Sequence, residues 1–158
     1  MNGADTALSG ADLADGARAN AAAGVFLDTS ALYAVFDGDD AAHPVAARAW
    51  EDLLRSEAPL HTGSYVLVEL TALLQRRLGV AAVDALTTYV LPWVNVTWSD
   101  ESLHALAVAG LLAAQSRDLS LVDCAGFALM RRLGIRRVFT VDRHFAEQGF
   151  VPAPAAAS

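Results

Sequence analysis

The chain has 158 residues and one cysteine, Cys124, which is enough length for one domain with its own core and excludes an internal disulfide. Its formal net charge of −7 argues weakly against a nucleic-acid partner. All eleven basic residues are arginine; without lysine, neither a P-loop nor Schiff-base chemistry is available in its usual form.

The charge is unevenly placed. Residues 1–23 hold Asp5, Asp12, Asp15 and Arg18, a net of −2, and the four acids discussed below account for −4, which leaves −1 for the rest. Six arginines fall in pairs, Arg76–Arg77, Arg131–Arg132 and Arg136–Arg137, compatible with a basic groove on an acidic protein. Residues 1–23 are rich in Ala, Gly and Asp and lack an apolar run, so they read as a disordered leader rather than a signal peptide. Residues 152–158 read as a flexible tail, which leaves a domain at 24–151. No stretch approaches the ~20 apolar residues of a membrane helix, and a cytoplasmic protein is expected.

Val25-Phe26-Leu27 is a short apolar run of the kind found in a strand buried on both faces of a parallel sheet. Thr29 or Ser30 is expected to cap a helix to about Phe36. After the Asp37-Gly38-Asp39-Asp40 turn, a helix spans about 41–55, with Pro44 tolerated in its first turn. Leu60-His61-Thr62 reads as a strand, Ser64 to Leu78 as a helix stopped by Gly79, and about 81–90 as another helix. Residues 94–98 form a third strand, and Ser99 to about Gln115 a helix with Asp100 and Glu101 in its first turn. Ser120 opens a helix that Gly134 ends, residues 137–141 form a fourth strand, and Asp142 opens a last short helix before an edge strand at Phe150-Val151. Strands alternating with helices indicate an α/β sandwich around a parallel sheet.

In such sheets, sites form beyond the carboxyl ends of the strands. Asp28 and Asp142 both stand there, although either position also suits a simple helix cap. Glu69 lies at the margin of the stripe Val66, Leu70, Leu73, Leu74, with no basic residue three or four positions away to pair with it. Asp123 has the spacing of a capping box with Ser120. Its helix is otherwise apolar nearly all round, so the alternative is a carboxylate in a dry place that must be protonated, paired or bound to metal. Oxygen-only ligands suit magnesium or manganese. The histidines at 43, 61, 104 and 144 show no zinc-ligand spacing, and Cys124 reads as a small core residue.

Four stretches in register now resemble a known family: Phe-Leu-Asp-Thr-Ser-Ala-Leu-Tyr-Ala (26–34), Tyr-Val-Leu-Val-Glu-Leu (65–70), Leu-Ser-Leu-Val-Asp (119–123) continued by Phe-Ala-Leu-Met-Arg-Arg-Leu-Gly-Ile (127–135), and Phe-Thr-Val-Asp-Arg-His-Phe (139–145). Across about residues 24–150 the chain resembles the PIN domain, and more narrowly the VapC-type toxins. The resemblance implies a three-layer α/β/α sandwich with a central parallel sheet. It implies that Asp28, Glu69, Asp123 and Asp142 converge on Mg2+ or Mn2+, with Asp28 and Asp123 expected as direct ligands and Glu69 and Asp142 through water or at a second ion. Thr29, Ser30, Ser120 and Thr140 match small polar positions flanking the site. The implied activity is hydrolysis of RNA to 5′-phosphate and 3′-hydroxyl ends, with Arg76, Arg77, Arg131 and Arg132 as candidate RNA contacts. The implied partners are a cognate antitoxin and a second copy of the chain in a homodimer.

Two other readings compete. A haloacid-dehalogenase-like phosphatase wants a second Asp two residues after the first, and position 30 is Ser. A catalytically silent PIN-fold module that binds RNA or protein would be expected to have lost one or more acids, and all four are present.

Overall fold

The computed structural model describes residues 24–153; the leader expected at 1–23 and residues 154–158 of the tail lie outside the described residues. Five strands, β1 (Val25–Leu27), β2 (Leu60–Gly63), β3 (Val94–Thr97), β4 (Arg137–Phe139) and β5 (Val151–Ala153), form one sheet in the order β3-β2-β1-β4-β5. Every neighbouring pair is parallel. The chain builds outward from β1 through β2 to β3, then returns to the other side of β1 as β4. The connections therefore diverge between β1 and β4, which is where an open parallel sheet leaves a crevice at its carboxyl edge.

Among the described residues seven helices cover the sheet: α1 (Thr29–Phe36), α2 (His43–Arg55), α3 (Ser64–Arg77), α4 (Val80–Ala85), α5 (Glu101–Ala114), α6 (Leu121–Leu133) and α7 (Arg143–Glu147). Alternation along the strands divides the core in two. Val25, Leu27 and Phe139 face Ala31, Leu32, Ala46, Leu53, Leu70 and Leu74 from α1, α2 and α3. Phe26 and Val138 face Leu103, Phe127, Met130 and Phe145 from α5, α6 and α7. Because both faces are covered, β1 is fully buried along its length, as its continuous apolar run requires. This is the expected α/β/α sandwich. No helix among the described residues is long and apolar enough to cross a membrane.

Local chemistry sets the boundaries. Asp28 itself, rather than Thr29 or Ser30, is the N-cap of α1, and its side chain accepts the Ser30 N–H. The expected helix over 81–90 is α4 followed by a π turn at Leu86–Val90 and a 3-10 turn at Leu91–Trp93. Pro92 lacks the N–H that a continuing α-helix needs, and its ring opposes the preceding turn. Gly134 closes α6 in the left-handed conformation, at φ 68°. β5 extends through Pro152 and Ala153, two residues past the expected boundary at 151. It pairs with β4 from the sheet edge, where a proline is tolerated.

Gly24 shows how tightly β1 is threaded. It has φ +87°, and a Cβ there would stand 2.2 Å from the Pro59 carbonyl oxygen. Gly24→Ala is therefore expected to destabilise the fold by about 2 kcal/mol or more in urea unfolding. Gly38, where a Cβ would meet nothing within 4 Å, serves as the control, and Gly38→Ala should be near neutral. Equal midpoints for the two variants would contradict this view of the β1 entry.

Candidate metal centre at the carboxyl edge of the sheet

Asp28 follows β1 and is 4 % exposed. Its backbone N–H bonds to the Phe139 carbonyl at 3.0 Å, which ties the end of β1 to the end of β4. Its Oδ2 accepts three hydrogen bonds: from Ser30 Oγ at 2.6 Å, Thr140 Oγ1 at 2.8 Å and Ser30 N at 3.2 Å. The two hydroxyls stand 3.0 Å apart, Ser30 Oγ also accepts the Val141 N–H, and Thr140 Oγ1 accepts the Asp142 N–H. This network locks the first turn of α1 to the loop after β4. Ser30 and Thr140, named above as small polar positions, both contact Asp28 directly.

Among the described residues no basic side chain balances Asp28. Burial pushes its carboxyl up from 3.8 to about 6, against the opposing pull of the Ser30 and Thr140 hydrogen bonds, and the charge of Asp123 raises it further. Asp28, rather than Asp123, is thus the dry carboxylate. Asp123 is half-buried and sits in a capping box: its Oδ2 accepts the Ser120 N–H and Oγ–H, both at 2.7 Å, while Ser120 Oγ accepts the Asp123 N–H at 3.1 Å. The start of α6 lies at the mouth of the cleft instead of in the core, which begins one residue later at the buried Cys124. Capping and cleft-lining are not alternatives here; one carboxylate does both.

Asp142 caps α7 through Oδ1, which accepts the His144 N–H at 2.9 Å. Glu69 is exposed and reaches the cleft from α3. The cleft, of about 380 Å³, is lined by Asp28, Thr29, Ser30, Ser120, Asp123 and Asp142, and by Glu69, Ala72, Leu73 and Arg76. The last four recur at the helical period, so one stripe of α3 forms a wall. A larger cleft of about 580 Å³ runs between α2 and the β4–β5 edge, but it is mainly apolar and its charged members are Arg48, Asp52 and Arg137. Chemistry, not size, singles out the acidic cleft.

The four arginines separate. Arg76 lines the acidic cleft. Arg77 lies outside its lining, and its charge acts on Asp37 and Tyr33 at the end of α1. Arg131 and Arg132 stand at the far end of α6, about 12 Å along its axis from Asp123. Arg131 donates to Gln148 at 2.8 Å and lies over the Phe150 ring, while Arg132 bridges to Asp100 at 3.3 Å and donates to Ser102 at 2.8 Å. The structure does not bring these two to the cleft.

Several features of the donor set fit a hard divalent cation. The hydrogen bonds among the described residues use Oδ2 of Asp28, Oδ2 of Asp123 and Oδ1 of Asp142, which leaves each carboxylate a second oxygen without a protein donor. The buried Thr29 hydroxyl in the cleft wall has no partner among the described residues. One ligand atom each from Asp123, Asp142 and His144 lie within 4.8 Å of one another. His144 lies outside the cleft lining but beside two of its acids, a neighbourhood that spacing along the chain does not reveal. It stands two residues after Asp142, a separation unlike that of the zinc motifs.

The raised carboxyl of Asp28 has a measurable consequence. An acid whose folded pKa exceeds its unfolded value costs nothing below the unfolded pKa and its full penalty above the folded one. In chelator, Asp28→Asn should therefore be more stable than the wild type by up to about 3 kcal/mol at pH 7.5. The gap should close as the pH falls from about 6 to below 4. A gap that is absent at pH 7.5, or that widens toward acid, would show that Asp28 is not held as an uncompensated buried charge.

Known proteins share this outline. Residues 25–151 match the PIN domain family. The chain is 36 % identical over 129 residues to the 23S rRNA-specific endonuclease VapC20 of Mycobacterium tuberculosis, in strains CDC 1551 and H37Rv, covering 80 % of this chain and 95 % of the relative. The crystal structure of M. tuberculosis VapC20, a toxin that cleaves the Sarcin-Ricin loop, superimposes with a TM-score of 0.70 at 36 % identity, covering 80 % of this chain and 96 % of that one. With a parallel sheet in the order β3-β2-β1-β4-β5 and acids gathered where β1 and β4 end, this chain belongs to the PIN domain family.

Proposed function

We propose that this chain is a metal-dependent endoribonuclease and the toxin half of a toxin–antitoxin pair, acting in the cytoplasm on ribosomal RNA. The single observation that carries this reading is the acidic cleft itself: Asp28, Glu69, Asp123 and Asp142 line one space at the carboxyl edge of the sheet, beside Arg76. The 36 % identity to a 23S rRNA endonuclease along most of both chains supports the substrate class and the toxin role. RNA over DNA rests on that relationship, since nothing in the cleft reads a 2′-hydroxyl.

The chain's own residues divide the work. Asp28 and Asp123 offer their free oxygens to Mg2+ or Mn2+, Asp142 and Glu69 complete the acidic wall, and the Ser30–Thr140 hydroxyl pair keeps Asp28 from turning away. When bound, the cation lowers the pKa of water and neutralises phosphate charge. Four carboxylates repel a bare phosphate, so the cleft admits RNA only once the acidic charge is offset. Arg76, on the same wall as Glu69, is placed to take a neighbouring phosphate. The antitoxin closes the same cleft with a basic side chain, since a guanidinium pairs with carboxylates through two parallel bonds. A homodimer is assigned to α5, an almost wholly apolar helix that leaves Leu106 and Leu112 56 % and 70 % exposed.

Purified protein should cut 23S rRNA in millimolar Mg2+ or Mn2+ and leave 5′-phosphate ends. Chelator should abolish cutting, and Asp28→Asn should lower it by about a hundredfold or more. Undiminished cleavage in metal-free buffer would overturn the mechanism, and cleavage of DNA with no action on RNA would overturn the substrate class.

The arginines make a second test. Arg76→Ala should weaken RNA binding and reduce the slope of log K against log salt by about one unit or less. Arg131→Ala and Arg132→Ala should leave that slope unchanged and instead lower stability by up to about 1 kcal/mol through their surface partners. The reverse pattern would move the RNA path to the far end of α6.

A further inference from the structure

We propose that His144, which stands behind Asp142 at the edge of the acidic cleft and outside its lining, is a nitrogen ligand of the cation held by Asp142 and Asp123, and that it biases the centre toward manganese over magnesium. The inference rests on the reading of the cleft as a divalent-metal site and adds to it a residue of a different donor type.

The geometry around His144 is unusual for a structural histidine. Its side chain is 16 % exposed, and Nδ1 lies 2.9 Å from Asp142 Oδ1. That approach lacks hydrogen-bond directionality, so Nδ1 is buried without a partner. Asp142 Oδ1 already receives the His144 backbone N–H at 2.9 Å. A buried polar nitrogen left unpaired costs about 1–3 kcal/mol. The spacing has another meaning: two ligands on adjacent corners of an octahedron with bonds of about 2.1 Å stand about 3 Å apart. A nitrogen and an oxygen at 2.9 Å, misaligned for a hydrogen bond, match two donors that converge on a third body. An oxygen of Asp123 approaches from α6, so that atoms of all three residues fall within 4.8 Å of one another.

The fold holds the imidazole there. Phe145, the next residue, is 1 % exposed and packs edge-on to Phe127 at 4.9 Å between ring centres. It also touches Phe26 from β1 and Phe150. This anchor fixes the short turn that carries Asp142 and His144 together. Among the described residues the other histidines are engaged elsewhere: His43 with the Ala34 carbonyl, His104 with the Tyr65 hydroxyl, and His61 against Gly24.

The consequence is selectivity. Magnesium is a hard ion that favours oxygen donors, whereas imidazole raises affinity for first-row transition ions. An all-carboxylate centre would discriminate weakly between Mg2+ and Mn2+; one with His144 as a ligand binds Mn2+ in preference.

Pulsed electron paramagnetic resonance of the full chain loaded with Mn2+, paired with calorimetric titration of Mn2+ and Mg2+, tests this without reference to cleavage. The wild type should show hyperfine coupling to an imidazole nitrogen, and His144→Phe should lose it while retaining Mn2+ more weakly. The Mn2+/Mg2+ affinity ratio should fall by about tenfold or more in that variant. His144→Ala serves if the phenyl ring disturbs folding, and a wild-type spectrum without nitrogen coupling is decisive without either variant. Mn2+ bound to the wild type with no nitrogen coupling, or coupling that survives both substitutions, overturns the role of His144 and leaves the nuclease reading intact. Failure of the wild type to bind Mn2+ at all overturns both.

Discussion

A carboxylate buried at the end of the central strand, held by hydroxyls and one N–H and, among the described residues, by no basic side chain, constrains everything around it. Asp28 is where β1 stops, where α1 starts and where the backbone of β1 last bonds to β4. The Ser30 and Thr140 hydroxyls that surround it come from opposite sides of the crevice, so they align the two halves of the sheet as they fix the carboxylate. The arrangement is expensive for a stable fold and useful for a metal centre. Burial raises the energy of the charged form, and a divalent cation would relieve it.

The topology explains why acids from distant parts of the sequence meet. Asp28 and Asp142 follow strands that are neighbours in space but separated by the whole β2–β3 wing. Glu69 arrives on the helix after β2, and Asp123 on the first turn of α6, which runs back across the other face. Three of the four acids are also local structural devices: Asp28, Asp142 and the Ser120–Asp123 box all cap helices, whereas Glu69 projects from the middle of α3. In each of these three carboxylates one oxygen takes the cap hydrogen bonds and the other has no protein donor among the described residues. The cap thereby pre-orients the carboxylate, which lowers the entropy lost when it binds.

Much of this is legible in the sequence, because the signals are periodic or terminal. The apolar run at 25–27, the alternation of strand and helix, and four motifs in register lead to the sandwich and to the acids at its edge. What the sequence hides depends on burial in three dimensions. Asp123 reads as drier than Asp28 because α6 is apolar nearly all round, yet its first turn opens onto the cleft while Asp28 is enclosed by groups from 2 and 112 residues away. Pairs of arginines look alike in sequence, but α3 carries Arg76 along the cleft wall and α6 carries Arg131 and Arg132 away from it. Pro152 suggests a loose tail, where the free edge of β4 instead offers a place to pair. His144 is invisible to spacing, since its neighbour Asp142 supplies the oxygen and Asp123 comes from another helix.

If the acids at the carboxyl edge hold a divalent ion, that ion can be located in the cleft. Anomalous diffraction at the manganese edge, from crystals equilibrated with Mn2+, tests it most directly. The account predicts a peak inside the cleft, within bonding distance of the free oxygens of Asp28 and Asp123. Full manganese occupancy at other surface carboxylates with none in this cleft, under conditions in which the protein still cuts RNA, would contradict it.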